Sequence, residues 1–220
     1  MIKVATDWKD YQIIATGDGQ KLEKWGNLVL LRPDPQIIWK SDVPLEKHKA
    51  INAKYIRSNQ GGGRWEYKGN VPDNFTVERK GLKFSLKLMG FKHTGLFPEQ
   101  AVNWDIMQKL ISGSRRQIKV LNLFAYTGGA TVACAKAGAQ VTHVDAAKAM
   151  VDRAKTNANL SGVPSDRIRY IVDDCNKFIA REIRRGNKYD AIIMDPPSYG
   201  RGANGEVWKL EDCIFDLVKE

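Results

Sequence analysis

"VLNLFAYTGGATVACAKAGA", residues 120–139, is the segment most indicative of the fold. It runs from an apolar strand through a paired glycine turn into a helix, and Gly138 is placed to end that helix. Gly128 and Gly129 allow the backbone to approach a ligand closely, and the start of the helix offers free N–H groups. The GxGxxG spacing of dinucleotide sites is absent, so the turn alone does not identify a ligand.

From about residue 98 onward, helical patterns alternate with short apolar strands. The predicted strands are 118–124, 140–144, 169–172 and 189–194. The predicted helices are 102–112, 130–137, 147–160 and 176–185, with a last helix in 208–220. Strands that are apolar on both faces and follow this rhythm indicate a parallel sheet with helices on each side. We therefore expect an α/β fold with a Rossmann-like, doubly wound sheet.

The first ninety or so residues show a different pattern, with short strands separated by turn signals. The predicted strands are 11–15, 28–31, 36–39, 64–67, 75–79 and 83–88, and a helix is predicted over 45–57. This pattern is typical of a small, mostly antiparallel β domain. We expect two domains, a β-rich one over residues 1–92 and an α/β one over residues 93–220.

Composition and charge narrow the class of protein. The chain has 220 residues, of which 43% are hydrophobic, and a formal net charge of +10. Residues 1–95 hold 17 Lys and Arg against 10 Asp and Glu, which favours a polyanionic partner, although charge alone does not identify one. No apolar stretch approaches the roughly 18 residues of a membrane span, and the N-terminus lacks a signal-peptide centre. We expect a soluble, cytoplasmic protein without a membrane partner.

The three cysteines, Cys134, Cys175 and Cys213, are widely spaced and form no CxxC pair. With only three histidines beside them, they do not indicate a metal site, and we expect no metal. We interpret them as reduced, mostly structural thiols. The oligomeric state is not indicated by any sequence pattern.

Acidic residues follow the predicted strands. Asp145 ends the second strand, Asp173 and Asp174 follow the third, and Asp195 follows the fourth. The carboxyl ends of parallel strands meet at one edge, where ligands of such sheets bind, and an acid after the second strand typically accepts hydrogen bonds from ribose hydroxyls. Each acid taken alone has the alternative of capping a helix, as Asp173 or Asp174 would for the helix that follows.

Together these motifs resemble those of class I S-adenosylmethionine-dependent methyltransferases. The segments "NLFAYTGG", "VDA", "DD" and "DPPS" are similar to those of the group of ribosomal-RNA large-subunit methyltransferases. The segment "HTGLFPEQ", residues 93–100, resembles the one that precedes the catalytic domain in that group and lines the cofactor pocket. The resemblance covers most of the chain; the "FAYTGG" and "DPPS" pair is specific, whereas the acids alone are generic.

The resemblance implies S-adenosyl-L-methionine as the cofactor. It implies that Asp145 holds the ribose hydroxyls, that Asp174 holds the adenine amino group and that Cys175 lies beside the ring. The implied cofactor-binding residues are Phe97, Gln100, Phe124, Tyr126, Thr127, Gly128, Asp145, Ala146, Asp174, Cys175 and Asp195. Many class I enzymes have an acid where this chain has Asn122, so the cofactor's amino group is expected to contact Asp195 or main-chain carbonyls instead.

The segment "DPPSY" supplies the candidate catalytic residues Asp195, Pro196, Pro197 and Ser198. The two prolines fix their own φ angles and restrict the residues before them, so the turn keeps its direction. A rigid rim is suited to gripping a base that has been turned out of its stack. Tyr199, as a stacking ring, and Arg64, as a phosphate contact, are the candidate substrate-binding residues. No cysteine that could act as a nucleophile lies in this turn. The sequence does not indicate which atom of the base accepts the methyl group.

The resemblance further implies a sheet of seven strands. The sequence ends after the fourth predicted strand and one helix, so we expect a missing C-terminal part on the order of tens of residues.

The expected function is transfer of a methyl group to a base in RNA, with ribosomal RNA as the expected substrate. One alternative is a small-molecule or protein methyltransferase on the same cofactor site. Another is a non-catalytic RNA-binding protein that retains the cofactor fold. A nucleotide-dependent oxidoreductase is disfavoured by the glycine pattern.

Overall fold

The computed structural model describes residues 2–58, 62–90, 92–201 and 207–220 of the chain. The chain forms two compact units. The first is Val4–Pro98, and the second is Glu99–Glu220 together with Ile2 and Lys3. The division therefore falls at residue 98, whereas the sequence pattern places a domain boundary at residue 92.

The first unit is built on a five-stranded sheet with the order β1-β2-β3-β4-β5. Its strands are β1 (Tyr11–Gly17), β2 (Gln20–Trp25), β3 (Leu28–Pro33), β4 (Ala53–Arg57) and β5 (Gly63–Tyr67). Only the β3–β4 pair is parallel; the other three pairs are antiparallel. A separate hairpin follows, formed by β6 (Phe75–Arg79) and β7 (Leu82–Leu86). The expectation of a β-rich N-terminal region is confirmed.

Two predictions in this unit are wrong. Residues 36–39 do not form a strand, because the carbonyls of Ile37 and Trp39 accept the N–H groups of Gly19 (3.0 Å) and Asp18 (2.8 Å). Their carbonyl groups therefore bind the turn between β1 and β2 and do not take part in the hydrogen-bond ladder of a strand. Residues 45–57 do not form one helix: Leu45–Lys47 is a single 3₁₀ turn, and β4 pairs with β5 over five residues. Non-local pairing overrides the local helical pattern.

Strand β2 was not predicted, because its charged sequence QKLEKW does not look like the second strand of a sheet. Its Glu23 is fully buried. Arg32 of β3 donates from Nε (2.6 Å) and Nη2 (2.9 Å) to this carboxylate, and the Tyr11 hydroxyl of β1 donates to it at 2.7 Å. A buried carboxylate is tolerated when it is paired and hydrogen-bonded in this way. The groups that neutralise and hydrogen-bond Glu23 lie on neighbouring strands, so the sequence of β2 itself does not indicate that Glu23 is buried.

The second unit has a four-stranded, fully parallel sheet with the order β10-β9-β8-β11. Its strands are β8 (Lys119–Leu123), β9 (Gln140–Asp145), β10 (Ile168–Val172) and β11 (Ala191–Met194). Its helices are α1 (Ala101–Ser112), α2 (Gly129–Lys136), α3 (Lys148–Leu160), α4 (Cys175–Arg184) and α5 (Leu210–Lys219). Between β11 and α5, β12 (Tyr199–Arg201) pairs antiparallel with β13 (Val207–Lys209). The predicted Rossmann-like α/β fold is confirmed.

Helices cover both faces of this sheet. On one face, Phe178 and Cys175 of α4 pack with Leu121, Leu123 and Val144 in a buried apolar cluster. On the opposite face lie α2 and α3, which contact β8, β9 and β10. The two central strands, β8 and β9, are therefore almost entirely buried between these helices, whereas β11 is partly exposed.

Candidate functional site at the carboxyl edge of the parallel sheet

Asp145, the last residue of β9, connects the turns that follow three strands. Its Oδ2 accepts the N–H of Tyr126 at 2.8 Å, and its Oδ1 accepts the N–H of Ala147 at 2.8 Å. Its backbone carbonyl accepts the N–H of Asp173, beyond β10, at 3.1 Å. Burial raises the pKa of the Asp145 carboxyl, although the two N–H groups stabilise its charged form. The carboxylate is thus held in one orientation at the carboxyl edge.

The turn after β8 has an unusual backbone. Phe124 and Tyr126 both have φ of 51°, and Gly128 has φ of 84°. Positive φ is uncommon for residues other than glycine, and it persists where the surroundings enforce it. Asp145 holds the N–H of Tyr126, and Asn157 Nδ2 of α3 donates to the carbonyl of Thr127 at 2.8 Å. The turn is therefore fixed from β9 and from α3.

The two glycines of the turn serve different purposes. A Cβ at Gly128 would lie 2.8 Å from Cβ of Ala154, so the turn packs directly on α3. A Cβ at Gly129 would lie 2.8 Å from Cζ2 of Trp104, so Gly129 allows α1 to pack on α2. Close approach to a ligand was the sequence interpretation of both positions. The structure gives each glycine a packing reason as well.

Three buried polar side chains form a connected series of contacts between the sheet and α2, below this turn. Asn122 Nδ2 of β8 donates to Thr131 Oγ1 of α2 at 2.8 Å, and Thr131 Oγ1 lies 2.9 Å from Nδ1 of His143 on β9. All three residues are at most 4% exposed. Burial lowers the pKa of His143 to about 4, so its ring is neutral near pH 7. Asn122 therefore directs its side-chain amide into the protein. This series of hydrogen-bonded side chains was not predicted from the sequence.

Asp174 and Cys175 begin α4. Asp174 is its N-cap, and its Oδ1 accepts the N–H of Lys177 at 3.0 Å. A carboxylate has two oxygens with several lone pairs, so this cap leaves acceptor capacity for a ligand. Asp173 forms an ion pair with Arg181 of the same helix. Cys175 is 4% exposed, and burial raises the pKa of its thiol to about 12.

The turn after β11 is braced by Trp208 of β13. The Trp208 Nε1–H donates to the carbonyl of Pro197 at 2.7 Å, and its ring lies 5.0 Å from the ring of Phe124. The N–H of Leu210 also donates to the carbonyl of Ser198, at 3.0 Å. Trp208 thus joins the turn after β11 to the turn after β8. No local pattern indicates this role, because both partners are distant in sequence.

The predicted site residues fall into two groups. Directly beyond the four strands lie Phe124, Tyr126, Thr127, Gly128, Ala146, Asp174, Cys175, Asp195, Pro196, Pro197, Ser198 and Tyr199, with Asp145 at the end of β9. Gln100 precedes α1 in the same unit and accepts a hydrogen bond from Asn103. Phe97 and Arg64 belong to the first unit. Asp195 and Tyr199 are exposed, the latter by 52%.

In the first unit, the predicted substrate residue Arg64 is exposed on β5 and forms an ion pair with Glu66 at 3.2 Å. Its neighbour Trp65 is 9% exposed and donates to the carbonyl of Met89 at 2.8 Å, so it belongs to the core. The rings of Phe97 and His93 meet edge to face at 5.3 Å.

Within the described ranges, no group of three or more His, Cys, Asp or Glu side chains is placed to hold a metal ion. Nor is any helix in those ranges long and apolar enough to cross a membrane.

Comparisons with known proteins agree with this geometry. A family model described as S-adenosylmethionine-dependent methyltransferase matches residues 46–208. Ribosomal RNA large subunit methyltransferase K of Neisseria meningitidis serogroup B is 30% identical over 213 residues, which are 93% of this chain and 57% of that protein. Ribosomal RNA large subunit methyltransferase K/L of Shewanella frigidimarina is 36% identical over 175 residues, covering 77% of this chain and 24% of that protein.

A solved structure is similar over almost the whole chain. The SAM-dependent methyltransferase from Agrobacterium tumefaciens has a TM-score of 0.90 and 40% sequence identity, covering 96% of this chain and 67% of that one. By contrast, the chain spans 57% or less of the two curated relatives described above.

Proposed function

Because the chain belongs to the S-adenosylmethionine-dependent methyltransferase family, we propose that it transfers a methyl group from S-adenosylmethionine to a base in RNA. The proposed substrate is ribosomal RNA, which would place the protein in the cytoplasm. The main structural support for cofactor binding is the Asp145 carboxylate. It is held at the carboxyl edge of the sheet by the N–H groups of Tyr126 and Ala147.

The residues at this edge fit an adenosyl ligand. An oriented carboxylate after the second strand accepts hydrogen bonds from the two hydroxyls of a ribose. Asp174 follows the next strand and retains acceptor capacity for an amino group on the adenine. α2 begins directly after Gly128, and the N–H groups of its first turn, which have no partner within the helix, are available to a ligand. We assign Phe124, Tyr126, Thr127 and Ala146 to the same pocket.

When bound, the cofactor supplies a methyl group on a positively charged sulfur, which is already a strong electrophile. The protein's task is then to hold the acceptor in line and to exclude water. We propose that Asp195, Pro196, Pro197 and Ser198 do this, because two prolines fix the turn and Trp208 braces its carbonyl from the side. Tyr199, exposed beside this turn, is the proposed stacking partner of the base.

The two buried thiols of the second unit are not candidates for a nucleophile. Burial raises the pKa values of Cys134 and Cys175 to about 12 each, so both are protonated near pH 7. A thiolate attack on the base, as cytosine-5 methylation needs, is therefore not available from either residue. The methyl-accepting atom of the base stays open.

RNA as the substrate class is supported by two observations. The relatives described above carry names of ribosomal RNA large subunit methyltransferases. Residues 1–95, which include most of the first unit, also carry an excess of positive charge, with 17 Lys and Arg against 10 Asp and Glu.

The test is methyl transfer from tritium-labelled S-adenosylmethionine to ribosomal RNA isolated from cells that lack the gene. Wild-type protein is compared with Asp145→Asn and with a control, Asp152→Asn, an exposed ion-paired acid of α3. Label in RNA that is lost only in Asp145→Asn supports the proposal, and digestion then identifies the nucleoside. Tight cofactor binding without label in any RNA would contradict it.

A further inference from the structure

One face of the five-stranded sheet gathers cations from neighbouring strands. Lys21 of β2 and Arg32 of β3 are direct cross-strand partners, so their side chains lie on the same face. β4 runs parallel to β3 with Ala53 beside Leu30, which places Tyr55 and Arg57 on this face next to Arg32. Three cations from three strands therefore lie at one end of the face.

The segment after β7 crosses this face and adds a fourth cation. The carbonyls of Met89 and Gly90 accept hydrogen bonds from Trp65 Nε1 (2.8 Å) and the Tyr55 hydroxyl (3.1 Å). Arg32 Nη1 donates to the carbonyl of Lys92 at 2.9 Å. Lys92 is thus fixed against Arg32 by the backbone. We call Lys21, Arg32, Arg57 and Lys92 the cation cluster.

Two carboxylates lie near the cation cluster, and both are already paired. Glu23 is bound by Arg32 and by the Tyr11 hydroxyl, and Asp34 forms an ion pair with Lys21 at 3.3 Å. In the part of the chain that the structure describes, neither Lys92 nor Arg57 has a carboxylate within ion-pair distance. Four cations against two carboxylates leave two positive charges without compensation.

The environment of Lys92 is unfavourable for its own charge. Burial lowers the pKa of Lys92, and repulsion from Arg57, Lys21 and Arg32 lowers it further, against the attraction of Asp34. The neighbouring His93 adds no charge near pH 7, because burial and the charges of Lys92, Arg32 and Lys21 lower its pKa to about 4. A half-buried ammonium among like charges is stabilised when an anion binds beside it.

We propose that the cation cluster is a phosphate-binding site that holds one phosphodiester of the substrate strand. The inference rests on the proposed RNA substrate. The Arg57 guanidinium offers a planar fork for two phosphate oxygens, and Lys92 adds a compact charge from the crossing segment. The site differs from Arg64, whose charge is paired with Glu66.

The test measures binding of a fluorescent single-stranded RNA oligonucleotide by anisotropy over a range of salt concentrations. The variants are Lys92→Ala and Arg57→Ala, and the control is Lys24→Ala, an exposed lysine on the opposite face of β2. Each variant is expected to weaken binding about three- to tenfold and to reduce the slope of log affinity against log salt by about 1. Lys24→Ala is expected to match wild type. Thermal unfolding verifies that all variants fold.

The outcomes separate this inference from the proposed function. If wild type binds RNA and both variants bind it with unchanged affinity and salt slope, the cation cluster is not the phosphate site, while the RNA substrate stands. If wild type binds the cofactor but no RNA, both fail. Replacing chloride by inorganic phosphate at constant ionic strength tests whether the cation cluster binds free phosphate. Tight phosphate binding, together with unchanged RNA affinity in the variants, would assign the cation cluster to free phosphate and overturn the inference.

Discussion

The carboxylate of Asp145, the last residue of β9, accepts the backbone N–H of Tyr126, in the turn after β8, at 2.8 Å. The contact holds Tyr126 at a φ of 51° and at the same time fixes the orientation of the carboxylate. One side chain therefore shapes the turn after β8 and is also the proposed acceptor for the cofactor's ribose hydroxyls. Removing its charge is expected to affect both the fold of the turn and the binding of the cofactor.

Asp145→Asn is the direct test of this double role. The amide group can replace only one of the two accepting oxygens, so either Tyr126 or Ala147 loses its partner. We expect the free energy of unfolding to fall by about 1–3 kcal/mol and cofactor affinity to fall by at least about tenfold. Chemical denaturation and calorimetric titration measure the two quantities. Unchanged cofactor affinity, with Asp152→Asn as the control, would remove Asp145 from the cofactor site.

Gly128→Ala tests the fit of the turn against α3. Its φ of 84° disfavours any side chain, and the new Cβ would lie 2.8 Å from Cβ of Ala154. The matched control is Gly138→Ala, which has φ of 107° but no atom within 4 Å of the added Cβ. The control is expected to cost about 1–2 kcal/mol from backbone strain alone. Gly128→Ala is expected to cost about 1–3 kcal/mol more because of overpacking, and equal melting temperatures of the two variants would contradict this.

Stability is expected to fall in mild acid because of His143. Its pKa in the folded protein is lowered to about 4 by burial, whereas an unfolded histidine has a pKa near 6.5. As pH falls below about 6.5, the unfolded state binds a proton that the folded state does not. The contribution of the neutral His143 ring to the free energy of unfolding is present in full above pH 6.5. It is lost towards pH 4, at up to about 1.4 kcal/mol per pH unit.

Denaturation of wild type and His143→Asn between pH 7 and pH 4 measures this effect. The variant, less stable at pH 7, is expected to lose less stability per pH unit than wild type. His48→Asn, at an exposed position, serves as the control and is expected to keep the wild-type slope. Parallel curves for wild type and His143→Asn would show that the buried ring does not govern acid stability.

Thiol labelling tests the burial of the cysteines. Cys134 and Cys175 are buried with pKa values raised to about 12, while Cys213 of α5 is partly exposed. A disulfide exchange reagent at pH 8 is expected to react with one thiol in the native protein and with all three after unfolding. Cys213→Ser should abolish the native reaction. Rapid native labelling of Cys175 would show that α4 begins in an open, accessible conformation.

Trp208→Phe tests the brace on the turn after β11. The change keeps an aromatic ring near Phe124 but removes the hydrogen bond to the carbonyl of Pro197. We expect kcat to fall about two- to tenfold with cofactor affinity unchanged, because the turn would position the acceptor less well. Trp39→Phe, which loses one hydrogen bond to Thr16 in the other unit, is the matched control. An equal loss of activity in both variants would indicate a general effect on folding.

Within the second unit, sequence patterns were sufficient to predict most elements. The predicted strand 140–144 corresponds to β9 at Gln140–Asp145, and the predicted helix 147–160 corresponds to α3 at Lys148–Leu160. These elements were predictable because their apolar periodicity and the glycines that follow their helices are local features. In the first unit, β2 and β4 escaped prediction, since their pairing partners supply the compensation for their charged or helix-like sequences.

The same distinction applies to the site. We could infer from the sequence that acids such as Asp145 and Asp195 follow parallel strands and lie at one edge, because the carboxyl ends of parallel strands meet there. The three-dimensional fold was needed to show that Asp145 holds the turn at Tyr126, that Trp208 braces Pro197 and that Lys92 lies among three other cations. Each of these depends on groups brought together from distant segments, and a hydrogen bond or a Coulomb interaction depends on distance in space, not on separation along the chain.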